Sequence, residues 1–236
     1  MFDELLKTIN SLAGEAFLQT PPTAFDSAAK TSNVMATMKA KGFSTAIRYY
    51  DHSVSQPKLS GKCLTIDETV ALLHNGFSIV PVYETTANPV AFTAGSGLNA
   101  GKIAAQYAEQ KIKQPLSSAI YFAMDFDATE HQLTTNVLPF MRAVAEGLRH
   151  GHSTGIPYSV GVYGSGRTCE RVLSERLADF AWLANATGWA GYKAFRQSGK
   201  WHILQHHTVF TKSKQPFAFD PDHVVADCGS FNLRTN

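Results

Sequence analysis

The sequence predicts a single α/β domain folded as a (β/α)8 barrel of the TIM type, with a shortened second half and an extra N-terminal helix. Short apolar runs alternate with longer segments of helical periodicity along most of the 236 residues. Two of these runs, SIVPVY and AIYFAM, are apolar nearly throughout, which is typical of parallel strands covered by helices on both faces. Hydrophobic residues make up 44% of the chain and charged residues 17%, so a large core can form.

The extra helix comes first. Apolar residues recur at helical spacing from Phe2 to Phe17, and Pro21 and Pro22 then end the pattern. We therefore predict an N-terminal helix and linker over residues 1–22 and the barrel domain over residues 23–236.

Eight candidate strands follow the linker, each rich in β-branched or aromatic residues. In chain order they are Thr23–Asp26, Ser44–Tyr50, Ser78–Tyr83, Ala119–Asp125, Ser159–Tyr163, Phe180–Leu183, Trp201–Gln205 and Val224–Asp227. The helical patterns between them are Asn33–Ala40, Ile66–Asn75, Leu98–Ile112, His131–His150, Gly166–Leu177 and, more weakly, Trp189–Phe195. Two prolines predict a loop over Thr211–Asp222. A doubly wound open sheet is the alternative, but its glycine-rich turn is missing from DSAAKTSN after the first strand.

Polar side chains accumulate at the carboxyl ends of the predicted strands, where a barrel carries its active site. The acidic ones are Asp26, Glu84, Asp125, Asp127 and Asp227, and Arg48, Tyr163 and Gln205 lie at or near other strand ends. A single strand-final aspartate is also a common helix cap, so the prediction rests on the whole set. Carboxyl groups that converge raise one another's pKa, so that one keeps its proton while another is ionised.

This division of protonation states is what glycoside cleavage requires. Asp125 and Asp127 point to the same side of one strand, and their Cα atoms are expected about 6.6 Å apart at a rise of ~3.3 Å per residue. That spacing fits both inverting and retaining enzymes. Aromatic rings suit the faces of sugars, and Tyr163 and Trp182 are the aromatic residues we expect in the cleft.

A metal site is the main competing interpretation. His206, His207, Asp220, Asp222 and His223 lie close together in the sequence, but no HExxH pattern occurs, and neighbouring histidines on a strand face opposite sides. We therefore predict no metal and no cofactor, with a metal-dependent phosphodiester hydrolase as an open alternative.

Charge and hydropathy exclude several other classes. The chain has 21 basic and 19 acidic residues and no basic run, so we expect no nucleic-acid partner. The sequence contains no uninterrupted run of 18 apolar residues, so we expect no transmembrane helix. Asp3 and Glu4 stand where a signal peptide carries basic residues, which predicts synthesis in the cytoplasm without a cleaved signal. The three cysteines form no CxxC pair and indicate buried thiols.

The ordered motifs FDSA, RYY, VPVYE, IYFAMDFDA, VGVYGSG, WLANATGW and ILQHH, with a closing Asp227, resemble the glycoside-hydrolase-like family catalogued as "domain of unknown function" 1906. That family is similar to the family 25 lysozymes, which cut peptidoglycan with a trimmed barrel. The resemblance covers about Thr23 to Leu233. It implies that Asp26, Asp125 and Asp127 match acidic positions of the lysozymes, with an aspartate at 127 where the lysozymes carry their catalytic glutamate. By the same resemblance, Tyr163 matches the tyrosine on the fifth strand of the lysozymes and Trp182 the tryptophan on their sixth strand. Asp227 matches an aspartate late in their sequence.

Together these observations predict a glycosidase that acts on peptidoglycan or a related N-acetylated glycan. Asp127 or Glu84 is the expected general acid, Asp125 orients the acetamide or stabilises the transition state, and Asp26 and Asp227 tune the charge. Tyr163, Trp182, Gln205 and Arg48 are the expected substrate-binding residues. A catalytically inactive glycan-binding barrel is the second alternative. Without a signal peptide, we expect export to the periplasm or cell wall by another route, with a secretion machinery or an immunity protein as possible partners.

Overall fold

Seven parallel strands and one antiparallel strand close into a barrel in the computed structural model, which describes residues 19–212 and 216–233. The parallel strands are β1 (Ala24–Asp26), β2 (Thr45–Tyr50), β3 (Ser78–Tyr83), β4 (Ala119–Ala123), β5 (Ser159–Gly164), β6 (Phe180–Leu183) and β7 (Ile203–Gln205). A short strand, β8 (Val209–Phe210), forms a hairpin with β9 (Ala218–Val224), which lies antiparallel between β7 and β1 and closes the barrel. The predicted barrel class is confirmed.

Helices follow most of the strands, as predicted. They are α1 (Met35–Ala40), α2 (Ile66–His74), α3 (Ala94–Tyr107), α4 (Leu138–Gly151), α5 (Gly166–Ser174) and α6 (Tyr192–Ser198). Several begin at a hydroxyl side chain that accepts a backbone N–H three residues on, as Thr65, Thr93 and Ser165 do. The predicted N-terminal helix falls mainly on residues outside the described part of the chain. No helix within the described ranges is long and apolar enough to span a membrane.

The last strand differs from the prediction. The sequence predicts a loop over Thr211–Asp222 and a strand over Val224–Asp227, whereas β9 spans Ala218–Val224. Pro221 is the source of the error, because proline usually marks a break. Here the Pro221 carbonyl accepts the N–H of His206, so the strand continues through the proline. The alternation of Phe219, which packs outside the barrel, with Asp220 and Asp222 was the usable strand signal.

The barrel interior is apolar in its lower part. Val80, Tyr121 and Ile203 belong to the cluster of side chains that fills it. The Tyr121 ring lies against Gly161 of the neighbouring strand β5, where any β-carbon would collide with the ring. Its hydroxyl donates to the carbonyl oxygen of Cys228 at 2.9 Å. This layer fills the lower part of the barrel interior, and the polar ends of the strands lie above it.

Helices α3 and α4 cross at close range through glycines spaced four residues apart. Gly97 and Gly101 of α3 face the backbone of α4, and Gly147 and Gly151 of α4 face the backbone of α3. A β-carbon at any of the four would collide with main-chain atoms of the other helix. The pair therefore packs backbone against backbone.

Gly101→Ala is expected to destabilise the protein by about 1–3 kcal/mol, because the added methyl group meets main-chain atoms of α4 that cannot move aside easily. This reverses the usual preference, which favours alanine over glycine in a helix by about 1 kcal/mol. The matched control is Gly95→Ala in the same helix, where the nearest atom to the methyl group is Thr93 Oγ1 at 3.9 Å. Urea unfolding measures both variants, and equal effects would contradict the close packing.

Candidate functional site

A cavity of about 180 Å³ opens at the carboxyl ends of the parallel strands. Each strand of the closed barrel contributes to it, because alternate residues point inward and the last inward residue stands above the apolar layer. The lining residues are Asp26, Tyr49, Val82, Glu84, Ala123, Asp125, Tyr163, Trp182, Gln205 and Asp220. Six of the nine predicted site residues thus meet in one pocket: Asp26, Glu84, Asp125, Tyr163, Trp182 and Gln205.

Asp26 lies on the floor of this pocket, with both carboxylate oxygens occupied. The Tyr49 hydroxyl donates to Oδ1 at 2.8 Å and Gln205 Nε2 donates to Oδ2 at 2.9 Å. Gln205 Nε2 also lies 3.2 Å from Asp220 Oδ2. Burial raises the pKa of Asp26 from 3.8 to about 7, against the lowering effect of the Gln205 and Tyr49 hydrogen bonds.

Gln205 connects Asp26 on one side of the pocket floor with Tyr163 on the other. Its Oε1 accepts the Tyr163 hydroxyl at 3.1 Å and the backbone N–H of Asn185 at 3.2 Å. Because a backbone N–H can only donate, this contact fixes which end of the amide carries the oxygen. Every polar atom of Gln205 therefore has a protein partner, and the residue orients Asp26 and Tyr163.

Asp222 is a buried member of the site that is not among the site residues predicted from the sequence. It lies fully buried below the pocket, and its Oδ1 accepts Trp182 Nε1–H at 2.9 Å. Its Oδ2 has no donor among the described residues. Burial, followed by the charge of Asp26, raises the pKa of Asp222 well above 3.8. A protonated, neutral Asp222 fits this buried position near a second acid.

Asp222→Asn is expected to raise the melting temperature at pH 8 by about 3 °C or more. A carboxyl whose pKa is raised in the folded state stabilises that state at low pH, and this stabilisation is lost as pH rises from about 4 through the folded pKa. The amide stays neutral at every pH and can still accept the Trp182 N–H. Since ~1 kcal/mol corresponds to about 2–4 °C at this chain length, thermal unfolding at pH 5 and pH 8 measures the effect. Asp67→Asn, at an exposed position on α2, is the control, and a variant less stable than the parent at pH 8 would contradict a protonated Asp222.

Glu84 and Asp125 occupy the half-buried mouth of the pocket. Glu84 follows β3 directly, and Asp125 follows β4 by two residues. Burial raises the pKa of both carboxyls, while the ammonium of Lys62 lowers it. Lys62 Nζ lies 3.6 Å from Glu84 Oε2. The two carboxyls therefore lie at the open end of the pocket, with the Lys62 ammonium beside Glu84.

Trp182 is only 1% exposed, so it forms the floor of the pocket rather than an open platform. Its ring meets the Tyr163 ring edge-on, with centroids 4.6 Å apart. Tyr163 remains partly accessible at the pocket wall. Both rings are predicted from the sequence to hold a sugar, and the geometry gives Tyr163 the accessible position.

Arg48 lies outside the pocket, contrary to its expected place in the substrate site. It is fully buried, and its Nε donates to Glu68 Oε1 of α2 at 3.0 Å. Its guanidinium also donates to the carbonyl oxygens of Ser27 and Lys62. Tyr49 points into the barrel, so the preceding Arg48 must point outward on the same strand.

Asp127 lies on the rim, exposed, and its Oδ1 accepts the backbone N–H of Ala190 at 3.0 Å. This contact ties the turn after β4 to the segment before α6. Asp127 does not line the pocket. The lysozyme-like pairing of positions 125 and 127 is thus divided between the pocket and the rim.

Asp227 lies at the opposite end of the barrel from the pocket. The closing strand runs antiparallel, so the residues after Val224 leave at the amino ends of the parallel strands. Asp227 Oδ1 accepts the N–H of Gly229, whose own carbonyl pairs with Ala119 at the start of β4. Asp220 and Asp222 are the late aspartates that reach the site.

The cysteines and the candidate metal ligands lie within the described ranges. Cys63, Cys169 and Cys228 are free and buried, as expected. Within the part of the chain that the structure describes, no three His, Cys, Asp or Glu side chains are grouped as metal ligands.

A family model described as "Rv2525c-like, glycoside hydrolase-like domain" matches residues 36–223. The matched region includes β2 to β7 and the pocket residues they carry, together with Asp220 and Asp222 of β9.

Two curated proteins of Bacillus subtilis (strain 168) are similar in sequence. The uncharacterized protein YbfG is 24% identical over 181 residues, which is 75% of this chain and 25% of YbfG. The uncharacterized protein FadG is 23% identical over 180 residues, which is 76% of this chain and 31% of FadG. The chain thus spans less than a third of the length of either relative.

Solved structures share the fold. The Mycobacterium tuberculosis Tat-secreted protein Rv2525c in complex with L-tartrate superposes with a TM-score of 0.70 at 20% identity, covering 89% of this chain and 99% of the other. Its complex with HEPES gives 0.68 at 19% identity, covering 89% and 98%. An uncharacterized B. stearothermophilus protein gives 0.58 at 18% identity, covering 86% and 95%.

Proposed function

Because the chain belongs to the Rv2525c-like, glycoside hydrolase-like domain family, we propose that it hydrolyses the glycan strand of peptidoglycan or a related N-acetylated glycan. One observation carries this proposal beyond the family. Asp26, Glu84 and Asp125 come from three different strand ends and line one polar pocket. Paired carboxyls with raised pKa are the groups that glycoside cleavage uses.

Glu84 is the proposed general acid. It stands at the pocket mouth, and burial raises its pKa toward the range in which a carboxyl can deliver a proton to a leaving oxygen. Asp127, the other candidate, is held by Ala190 on the rim. Asp125 is the proposed partner that orients the substrate acetamide or stabilises the oxocarbenium-like transition state. If the acetamide is the internal nucleophile, no covalent enzyme intermediate forms.

The size of the pocket suggests what enters it. At about 180 Å³ it is smaller than the ~300–1,000 Å³ typical of sites for drug-sized ligands. It therefore suits one sugar ring, with the rest of the glycan lying across the rim. Tyr49, Tyr163 and Asp220 are the accessible polar groups for that ring. Asp26, held by Tyr49 and Gln205, tunes the charge beneath it.

The cell wall is the proposed place of action. Rv2525c is a Tat-secreted protein, and a wall-degrading activity needs export of this chain as well. A relation to the family 25 lysozymes is part of the same proposal, and a secretion machinery and an immunity protein are the proposed partners.

A glycan-binding barrel without activity is the second candidate. One observation favours it: the chain carries Asp127 where the lysozymes have their catalytic glutamate, and this shorter side chain is bound to a backbone amide outside the pocket. Such a protein would hold the glycan through the same pocket and release nothing from it.

Mass spectrometry of the fragments released from purified cell wall tests the proposal. We expect soluble muropeptides whose reducing ends identify the bond that is cut, and full release after exhaustive chelation would exclude the metal-dependent phosphodiesterase alternative. Sedimentation with the wall without any release would support the binding barrel instead. Neither binding nor release would overturn both glycan proposals.

A further inference from the structure

The loop between β2 and α2, residues 51–65, is folded on itself by a small polar cluster. Asp51 Oδ1 accepts the N–H of Ser53 at 2.7 Å, and Asp51 Oδ2 accepts the Ser60 hydroxyl at 2.5 Å. The N–H of Ser60 in turn donates to Ser53 Oγ at 2.8 Å. Asp51 and Ser53 are both buried. The loop therefore has a defined shape beside the pocket.

Lys62 is anchored in this loop through its main chain. Arg48 Nη2 donates to the Lys62 carbonyl oxygen at 3.0 Å, and Arg48 is itself held by the buried carboxylate of Glu68. Two residues further on, the N–H of Leu64 donates to the Tyr49 carbonyl at 2.8 Å. These contacts fix the point from which the Lys62 side chain starts.

The Lys62 ammonium lies beside Glu84 at the pocket mouth. It is 3.6 Å from Glu84 Oε2 and 5.1 Å from the centre of the Tyr49 ring, and its side chain is 28% exposed. A cation over an aromatic face is attracted to the ring, so Tyr49 favours this orientation. The charge of Lys62 acts on Glu84 and Asp125, and Asp51 is a further acidic group that acts on Glu84.

We propose that Lys62 sets the charge of the site by supplying a positive charge that lets one carboxyl of the Glu84–Asp125 pair ionise while the other keeps its proton. The inference rests on the proposed function, since it explains how one of these groups can donate a proton while the other remains an anion. Lys62 acts through these carboxyls and is a positioning residue.

Electrostatics at the mouth agree with this geometry. Burial raises the pKa of Glu84, Lys62 lowers it, and the Asp125 charge raises it. For Asp125, burial raises the pKa and Lys62 lowers it. Asp26 on the floor also senses the Glu84 charge. Without the ammonium, both mouth carboxyls therefore hold their protons to a higher pH, and the pair loses its anion.

Carbon-13 NMR titration of the side-chain carboxyls in the full chain tests the proposal without any substrate. Lys62→Met is expected to raise the pKa of Glu84 by about one pH unit and that of Asp125 in the same direction, since an opposite charge at this distance shifts a carboxyl by about 1–3 units. Lys62→Arg keeps the charge and is expected to restore the parent values. Lys58→Met, at an exposed position of the same loop, is expected to leave them unchanged. Unchanged values in Lys62→Met would overturn the proposal.

Activity on cell wall gives the second readout. If glycan is released, the pH–rate profile of Lys62→Met is expected to move to higher pH by the amount seen in the titration. A titration shift with no release by any variant supports the role of Lys62 and counts against the hydrolase alone. Release by Lys62→Met with the parent pH profile counts against Lys62 and leaves the hydrolase standing.

Discussion

Glu84→Gln and Asp125→Asn are each expected to lower the rate of glycan release from purified cell wall by about 10²–10⁴-fold. A general acid or base contributes a factor of this size, and both amides keep the shape of the side chain while removing its proton chemistry. Both residues line the pocket, and neither carboxyl is tied to a backbone amide among the described contacts. Clearing of a wall suspension, followed over time, measures the rate.

Asp127→Asn is the matched control for these two variants. Asparagine keeps an oxygen that can accept the Ala190 N–H, so the rim is expected to stay intact and the rate to change little. Thermal unfolding of all three variants checks that each is folded. Loss of activity in Asp127→Asn, with Glu84→Gln still active, would return the acid to the position suggested by the lysozymes.

Arg48→Met is expected to destabilise the protein by about 3–5 kcal/mol. The substitution leaves Glu68 buried without its cation, and an unpaired buried charge carries a penalty of this size. It also removes the donor to the Lys62 carbonyl, so the loop beside the pocket is expected to loosen. Urea unfolding, monitored by tryptophan fluorescence, measures the free energy of unfolding.

Arg142→Met is the control, because the ion pair that it removes has the same nitrogen–oxygen distance as the Arg48–Glu68 pair. Arg142 and Glu175 also lie 3.0 Å apart, but both side chains are a third or more exposed, so the loss is expected to stay below about 1 kcal/mol. The double variant Arg48→Met with Glu68→Leu removes both buried charges and is expected to recover much of the stability. Equal losses in the two single variants would show that burial does not govern the energy of the Arg48 pair.

The order of elements was predictable because strand and helix periodicities differ and each strand of the parallel sheet is short and apolar. The closing strand was missed because Pro221 was interpreted as a break, although Phe219, Asp220 and Asp222 alternate as a strand requires. Its direction could not be predicted, because periodicity is the same for a strand that runs up or down the barrel.

The site was predictable wherever a polar residue follows an apolar strand, as Glu84 and Asp125 do. Arg48 could have been rejected, since Tyr49 and its neighbour cannot both face the pocket. Lys62 had no such signal, because a loop residue reaches the site only through the fold of its loop. The burial of Asp222 and the effect of the Asp26 charge on it likewise depend on two strands that lie far apart in the chain.

The two donors on the Gln205 carbonyl have a consequence for ligand exchange. A ligand hydroxyl group in the pocket can accept a hydrogen bond from the Tyr163 hydroxyl, because the Asn185 N–H continues to donate to the Gln205 oxygen. The Gln205 side chain need not rotate, so its hydrogen bond to Asp26 is kept when a ligand binds and when it leaves. Tyr163 of β5 can therefore change its hydrogen-bond partner when a ligand binds, while Gln205 and Asp26 on the floor of the pocket keep their positions.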